Sequence, residues 1–178
     1  KINNYQQARA QRNETTTNEV LKLCIELLQL IMMAADGYFI YTGGEAIIPR
    51  NVTRVRIDES LTVIPARAFD RNLDIEEVEC HDRVKTVEER AFDNCPSLRR
   101  VIMPGVEEVE NDAFAYCKAL AIVECDKLEI IERGAFDCCT SLTSIDLPSA
   151  RIVEWYAFRN CDALTNVKFG KELERIEG

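Results

Sequence analysis

The dipeptide Ala-Phe recurs at an almost constant interval, and this period constrains the fold more than any other feature of the chain. It begins at Ala68, Ala91, Ala113, Ala135 and Ala157. Successive copies are separated by 23, 22, 22 and 22 residues. Such a period is typical of solenoids, in which each repeat is one structural unit that stacks on the next. The chain is therefore predicted to be a repeat protein, and this architecture favours binding over catalysis.

Other columns of the repeat are thiol or apolar at fixed distances from the phenylalanine. Cysteine follows three residues later at Cys95, Cys117, Cys139 and Cys161. A β-branched residue follows nine residues later at Val78, Val101, Val123, Ile145 and Val167. A further apolar column, eleven residues after the phenylalanine, shares a strand face with it because side chains two apart point the same way. Each repeat is thus expected to add one parallel strand to a shared core, with a sixth strand at 53–57 and a helical or irregular return through Ala-Phe.

The pattern L-x-x-V-x-L-P, then Ile or Val, then A-F-x-x-C-x-x-L resembles the BspA-type leucine-rich repeat over about residues 49–178. This resemblance implies an α/β-type solenoid with a parallel β-sheet on its concave face and short helical or irregular returns. It also implies a noncatalytic binding or adhesion module, since the family is known from bacterial surface proteins and from protist and algal proteins. The position four before the phenylalanine, often glycine in the family, departs from it. Glutamate stands there at Glu88, Glu110, Glu132 and Glu154, which argues against a glycine-dependent turn.

Residues 1–45 differ from the repeats at 46–178 and are interpreted as an N-terminal cap. A capping-box spacing at 16–19 precedes apolar residues at helical spacing, which predicts a helix over 18–34, and a strand is expected at 38–41. Lys22, Glu26 and Gln29 interrupt the apolar run, so no membrane span is expected. The helix is predicted to cover the end of the solenoid core, and docking onto a partner helix is the alternative.

The C-terminal end has no comparable cap in the sequence. Leu173 and Ile176 restart the repeat, and the chain stops at Gly178 before another Ala-Phe. An open end would expose apolar core residues. We therefore expect either a further length of chain or a partner at the C-terminal end of the solenoid.

The charge balance excludes some partners. The chain has 22 Lys and Arg against 31 Asp and Glu, a net charge of −9. Nonspecific nucleic-acid binding depends on neutralising phosphates, so nucleic acid is not an expected partner, whereas another protein is. Composition does not determine the compartment. An intracellular assembly is the first expectation, and two N-x-T sequons, at Asn13 and Asn51, favour the secretory alternative.

No catalytic, cofactor or metal site is predicted. The eight cysteines include no C-x-x-C, and His81 is the single histidine. The cysteine column is expected to hold free thiols in the core, although its strand spacing would also allow disulfides. Cys138 should point outward beside the inward Cys139. The glutamate column is interpreted as a solvated edge, with calcium binding as the alternative.

Two groups of residues are candidate partner-binding sites. Ile102 and Ile122 should lie diagonally on adjacent strands of the outward sheet face, about 7–8 Å apart. Three charged residues surround this apolar spot, namely Arg100, Glu124 and Asp146. An apolar centre with a polar rim is typical of a protein interface. The spot is also consistent with two isolated surface isoleucines.

The second group is the pair Trp155 and Tyr156, which occupies columns that are otherwise small or polar. These aromatic residues would either anchor a partner or fill a gap left by Ala150, which replaces larger apolar residues of other copies. The sequence as a whole favours a noncatalytic protein-binding or scaffold module that is a subunit of a larger assembly. The alternative is a secreted or cell-surface adhesion module.

Overall fold

The computed structural model describes residues 33–44 and 48–177. The chain divides into two compact units, residues 1–39 and 40–178. In the first unit, Met33 forms an antiparallel bridge with Phe39. The predicted helix over 18–34 lies outside the described residues except for Met33 and Ala34, and neither of these is helical. The described structure therefore contains no helical cap.

The second unit is built from short strands. The strands of the described residues, in chain order, are β1 (Phe39–Tyr41), β2 (Arg54–Ile57), β3 (Val63–Ile64), β4 (Glu77–Glu79), β5 (Thr86–Val87), β6 (Arg100–Ile102), β7 (Glu108–Val109), β8 (Ile122–Glu124), β9 (Ile130–Ile131), β10 (Ser144–Leu147), β11 (Ile152–Val153), β12 (Asn166–Phe169) and β13 (Arg175–Ile176). One sheet has the order β1-β2-β4-β6-β8, and β10 and β12 form a separate pair. We call the five-stranded sheet and the β10–β12 pair together the first sheet. The second sheet has the order β13-β11-β9-β7-β5-β3.

Each 22–23-residue repeat is one coil of a parallel β-solenoid. In the first sheet, Val55 aligns with Val78 and Val78 with Val101, so the inward valine column predicted from the sequence is confirmed. These valines are 0–1% exposed. Six of the first-sheet strands, β2, β4, β6, β8, β10 and β12, fall where the repeat period predicts them.

The prediction of one strand per repeat is wrong, because each coil also contributes a two-residue strand to the second sheet. Ile64, Val87, Val109 and Ile131 occupy successive strands of this sheet and are fully buried. Two residues are too few for a polar–apolar alternation to be visible in the sequence. These four buried residues form an apolar column five positions before the phenylalanine, which is the trace of this strand in the sequence.

The third side of each coil is the return arc, which we define as the residues from three before to three after the phenylalanine. No helix occurs in the described residues, so the helical form of the predicted return is wrong and the irregular form is observed. Residues two before and two after the phenylalanine have positive φ, as in Arg90 (57°) and Asn94 (56°). Gly134 is the one glycine in these two columns. The tight turns therefore flank the phenylalanine instead of lying at the glutamate column.

The phenylalanines form a continuous stack along the solenoid. Ring centroids are 4.7–5.4 Å apart from Phe69 to Phe158, with interplanar angles of 2–4°. The Phe92 N–H donates to Ala113 O at 2.8 Å, and the same bond joins Phe114 to Ala135. Because the backbone ladder and ring stack share one spacing, each coil presents its return-arc side chains directly beside those of the next.

Candidate interaction surfaces

Outward side chains of the first sheet form ion pairs across neighbouring strands. Arg54 Nε lies 3.2 Å from Glu77 Oε2, and Arg56 Nη2 lies 2.7 Å from Glu79 Oε2. Arg100 contacts two carboxylates, Glu77 at 3.2 Å and Glu124 at 2.8 Å. These partly exposed pairs stabilise the sheet by up to about 1 kcal/mol each. Most of this face is therefore occupied by charges that neutralise one another.

Ile122 is the large apolar side chain exposed on this face, at 48%. The register pairs Arg100 with Ile122 and Ile102 with Glu124, so these four predicted residues do lie together across β6 and β8. Ile102 is partly buried. Asp146, the fifth residue of the predicted group, lies on β10 and pairs with Lys168 at 3.1 Å.

The first sheet is interrupted beside Ile122, because no ladder joins β8 to β10 among the described residues. In the preceding coils, Arg100 N–H donates to Glu76 O and Met103 N–H donates to Glu124 O. The equivalent bonds from Ser144 N–H and Cys125 N–H are missing from the described part of the chain. Val123 is 9% exposed, against 1% for Val101. The coils thus separate slightly on this side, and periodicity alone could not reveal it.

The return arcs of five coils line a groove of about 860 Å³, which we call the return-arc groove. Its arginines are Arg67, Arg71, Arg90, Arg133 and Arg159. Its acidic residues are Asp70, Glu89, Asp93, Asp112 and Asp137. The uncharged residues of the lining are Asn111, Ala115, Tyr116, Gly134 and Tyr156. The formal charge of this lining is zero on a chain whose net charge is −9.

Aromatic residues concentrate toward the C-terminal end of the groove, from the third to the fifth of its coils. Tyr116 is 44% exposed, and Trp155 and Tyr156 are 45% exposed. The guanidinium carbons of Arg133 and Arg159 lie 5.6 Å and 4.9 Å from the Tyr156 ring centroid, within cation–π range. Rings this exposed are poor fillers of an interior gap. Their position is consistent with the anchor interpretation of the pair at 155–156, and Tyr116 joins them as a residue that sequence reasoning missed.

Asp137 anchors the floor of the groove at this end. Its residue is 3% exposed, and its carboxylate accepts hydrogen bonds from Arg159 of the next coil and from Asn160. Burial alone would raise the pKa of Asp137, but hydrogen bonds from Arg159 and Cys138 outweigh burial and lower the pKa below its ordinary value. The carboxylate is therefore ionised at neutral pH and fixes the Arg159 guanidinium against Tyr156.

At the opposite end, two groove carboxylates lie close enough to affect each other. Burial raises the pKa of Asp93, and the neighbouring charge of Asp70 adds to the shift. The nearby positive charge of Arg90 lowers the pKa of Asp93 in part. Arg90 itself pairs with Asp112, at 3.2 Å between Nη2 and Oδ2, and with Glu89, at 3.6 Å between Nη1 and Oε1. Within the described part of the chain, seven of the ten charged side chains of the groove lie within 4 Å of an opposite charge in the same or the next coil, and Arg67, Arg133 and Asp93 do not.

The cysteine column has a structural role. The four thiols are free and buried, as the sequence predicts, and each donates to the phenylalanine carbonyl of the preceding coil at 3.0–3.2 Å. Burial raises the pKa of Cys161 to about 11 and that of Cys139 further. Cys138 is the one described cysteine that is not buried, which confirms its predicted outward direction.

The glutamate column and His81 also make structural contacts. Glu88, Glu110 and Glu132 each accept a backbone N–H of the preceding coil at 2.9–3.1 Å. His81 Nδ1 accepts the Arg83 N–H at 3.2 Å, which leaves Nε2 to donate to Asp58 O at 3.0 Å. Both ring nitrogens are therefore engaged with backbone groups.

Over the described ranges 33–44 and 48–177, no three His, Cys, Asp or Glu side chains converge on a metal position. The same residues include no helix long and apolar enough to cross a bilayer.

Known proteins place the repeats in a family. Six copies of the BspA-type leucine-rich repeat region match residues 46–164. A leucine-rich repeat protein from Bacteroides ovatus is similar in structure, with a TM-score of 0.65 and 30% identity over 70% of this chain and 33% of that one. A leucine-rich cell surface protein from Faecalibacterium prausnitzii has a TM-score of 0.62 and 27% identity, over 77% of this chain and 36% of that one.

The chain thus spans about a third of the length of these two proteins. The leucine-rich repeat protein of T. pallidum, at 20% identity and a TM-score of 0.52 over 82% of this chain and 86% of that one, shares the fold. Curated proteins give no significant match. The repeat, the coil geometry and the family match agree, and the chain belongs to the BspA-type leucine-rich repeat family.

Proposed function

We propose that this chain is a noncatalytic protein-recognition module that contacts a partner protein through the first-sheet surface centred on Ile122. The observation that carries the proposal is the 48% exposure of Ile122 on a face whose other outward residues are mostly charged and paired. Interfaces commonly consist of an apolar centre within a polar rim. Family membership supports the same class of function, because repeat surfaces of this kind generally serve protein interaction.

The neighbouring charges suit the rim of such an interface. Arg100 already contacts Glu77 and Glu124, so a partner that covers Ile122 need not bury an unpaired charge. The interruption between β8 and β10 lies directly beside Ile122 and loosens this part of the sheet. A partner can therefore contact Ile122 with little rearrangement of the ion-pair ladder.

A single substitution tests this surface. Ile122→Ser places in β8 the residue that Ser144 supplies at the equivalent position of β10, so the fold should tolerate it. Partners captured from the cells that make this chain are purified, and their affinity is measured by calorimetry. We expect about tenfold weaker binding, since an apolar anchor is lost from the interface centre.

The matched control is Leu73→Ser, because Leu73 is 63% exposed but lies outside the first-sheet strands. Its affinity for the purified partner should equal that of the unmodified chain. Equal weakening by the two substitutions, or none by Ile122→Ser, would show that the partner does not bind at this surface.

A cell-surface adhesion module is the second candidate function. The similar protein from Faecalibacterium prausnitzii is described as a leucine-rich cell surface protein. Asn51 of the second sequon is exposed, so an N-linked glycan attached to this residue would not disturb the core. Glycan occupancy at Asn51, or labelling of intact cells by an impermeant reagent, supports this function. Recovery of the chain only from the interior of those cells contradicts it.

A further inference from the structure

The return-arc groove has a repeat that suits an extended sugar chain. Neighbouring coils are 4.7–5.4 Å apart along the phenylalanine stack. This spacing is close to the length that one pyranose ring adds to an extended, equatorially linked oligosaccharide. An extended peptide advances about 3.3 Å per residue, so neither one nor two of its residues match a coil. A sugar chain can therefore meet equivalent positions in successive coils.

The charges of the groove favour a neutral ligand. Arg159 is held by Asp137, and Arg90 lies 3.2 Å from Asp112. A charged ligand would have to compete with these pairs, or bury one of them with an unmatched charge beside it. Hydroxyl groups both donate and accept, so they can bond to the free lone pairs and N–H groups of paired side chains as water does. The planar carboxylate and guanidinium groups also suit two adjacent hydroxyls.

The aromatic end supplies a surface on which apolar ring faces can pack. Tyr116 and Tyr156 stand in the two positive-φ columns that flank the floor of the groove. Between them lie Ala115, which is 2% exposed, and Gly134, where the Asp112 carboxylate occupies the space that a side chain would take. A sugar hydroxyl at this end can therefore bond to the Asp112 carboxylate beside the exposed tyrosines. The two tyrosine residues are 44–45% exposed, although the guanidinium groups of Arg133 and Arg159 lie over the Tyr156 ring.

A peptide is the less suitable occupant for a second reason. Extended peptides commonly bind by adding a strand to a free sheet edge. In the return arc, N–H groups such as those of Phe92 and Phe114 already donate to the next coil. The groove therefore offers few backbone groups to a peptide, and its side-chain lining has no deep apolar pocket for an anchor residue.

We propose that the return-arc groove binds a neutral, extended oligosaccharide, with one pyranose per coil and the tyrosine end as its tightest position. This site is separate from the Ile122 surface and does not depend on it. The ligand class is defined by neutral charge, a hydroxyl-rich edge and apolar ring faces. No covalent step is involved.

The test uses an array of neutral oligosaccharides of increasing length, followed by calorimetry with the best series. Tyr116→Asn and Tyr156→Gly remove the rings, and other coils carry these replacements at equivalent positive-φ positions, in Asn94 and Gly134. We expect saturable binding that strengthens with chain length until the five coils are occupied, and about tenfold weaker binding in each variant. Unchanged melting temperatures would confirm that the variants fold.

Ile122→Ser is the control, because it lies on the first sheet, and it should bind the sugar as the unmodified chain does. An acidic and a basic hexapeptide form the comparison arms. The proposal is overturned if no neutral series binds saturably, if Tyr116→Asn and Tyr156→Gly each bind as tightly as the unmodified chain, or if a charged peptide binds in the groove in place of the sugars. Loss of protein binding in Ile122→Ser with intact sugar binding keeps the two proposals distinct.

Discussion

The return arc and the first sheet are two sides of the same coils, yet they differ in continuity. On the return arc, Phe114 N–H donates to Ala135 O and Phe136 N–H donates to Ala157 O, both at 2.8 Å. On the first sheet, the ladder ends at β8 and a separate pair begins at β10. The coils that carry β8 and β10 are thus joined by backbone hydrogen bonds on the return arc but not on the first sheet.

This difference shows that packing constrains the residues behind the return arc more strongly than the outward residues of the first sheet. Behind the return arc, the same two residue types recur, with a phenylalanine stack and thiols that donate to the preceding coil. The outward positions of the first sheet change from Arg100 to Ile122 to Ser144. The ring stack joins all five coils, and the thiol bonds come from the last four, because Asn72 replaces the cysteine in the first. These repeated buried contacts maintain the spacing, while the sheet surface is free to vary. A surface that can vary without loss of the fold is suited to recognition.

Removing one ring from the stack should have the largest effect. Phe114 is fully buried, with neighbouring ring centroids at 5.0 Å and 5.3 Å. We expect Phe114→Ala to lower the free energy of unfolding by about 3–5 kcal/mol, because it leaves a cavity shared by three coils. Urea denaturation measures this. Val123→Ala, beside the interruption in the first sheet, should cost less, about 2 kcal/mol. Equal losses would contradict the contrast between the two sides.

The Asp137–Arg159 pair gives the return arc a pH-dependent link between coils. The pKa of Asp137 is lower in the folded chain than its ordinary value, so its stabilisation is present above about pH 4 and is lost as the pH falls further. We expect Asp137→Asn to cost about 1–3 kcal/mol at pH 7. Thermal melts from pH 7 to 3 should show this difference shrinking below pH 4.

Asp162→Asn is the control for the acid titration, because Asp162 is exposed. Its melting curve should follow that of the unmodified chain at every pH. A difference between Asp137→Asn and the unmodified chain that stays constant into acid would show that the ionised carboxylate is not the stabilising form.

Amide hydrogen exchange should report the interruption in the first sheet directly. Ser144 N–H and Cys125 N–H lack the bonds to the neighbouring coil that Arg100 N–H and Met103 N–H make. We expect the first two amides to exchange about tenfold faster, since their exposure needs no separation of paired strands. Measurement by NMR resolves each amide. Equal protection of all four would mean that the ladder is continuous in solution.

The smallest predicted effect concerns backbone conformation in the return arc. Arg67 is exposed and has a φ of 59°, a region that glycine enters at less cost than other residues. We expect Arg67→Gly to raise the free energy of unfolding by roughly 0.5–1 kcal/mol. Arg99→Gly, just before β6 on the first sheet, should lower it by a similar amount, because the backbone there gains nothing from glycine. Chemical denaturation of both variants measures the opposite signs.

The sequence alone determined the period, the inward columns and the first-sheet strands, because buried positions must repeat wherever identical coils stack. It also predicted that Ile102, Ile122 and their charged neighbours share one surface, since strand alternation places them there. The second sheet was missed because two-residue strands carry no readable alternation. Only the tertiary structure decided the turn positions, the interruption between β8 and β10, and the return-arc groove. Those features depend on how residues 22 positions apart meet across coils, and local sequence preferences do not encode such contacts.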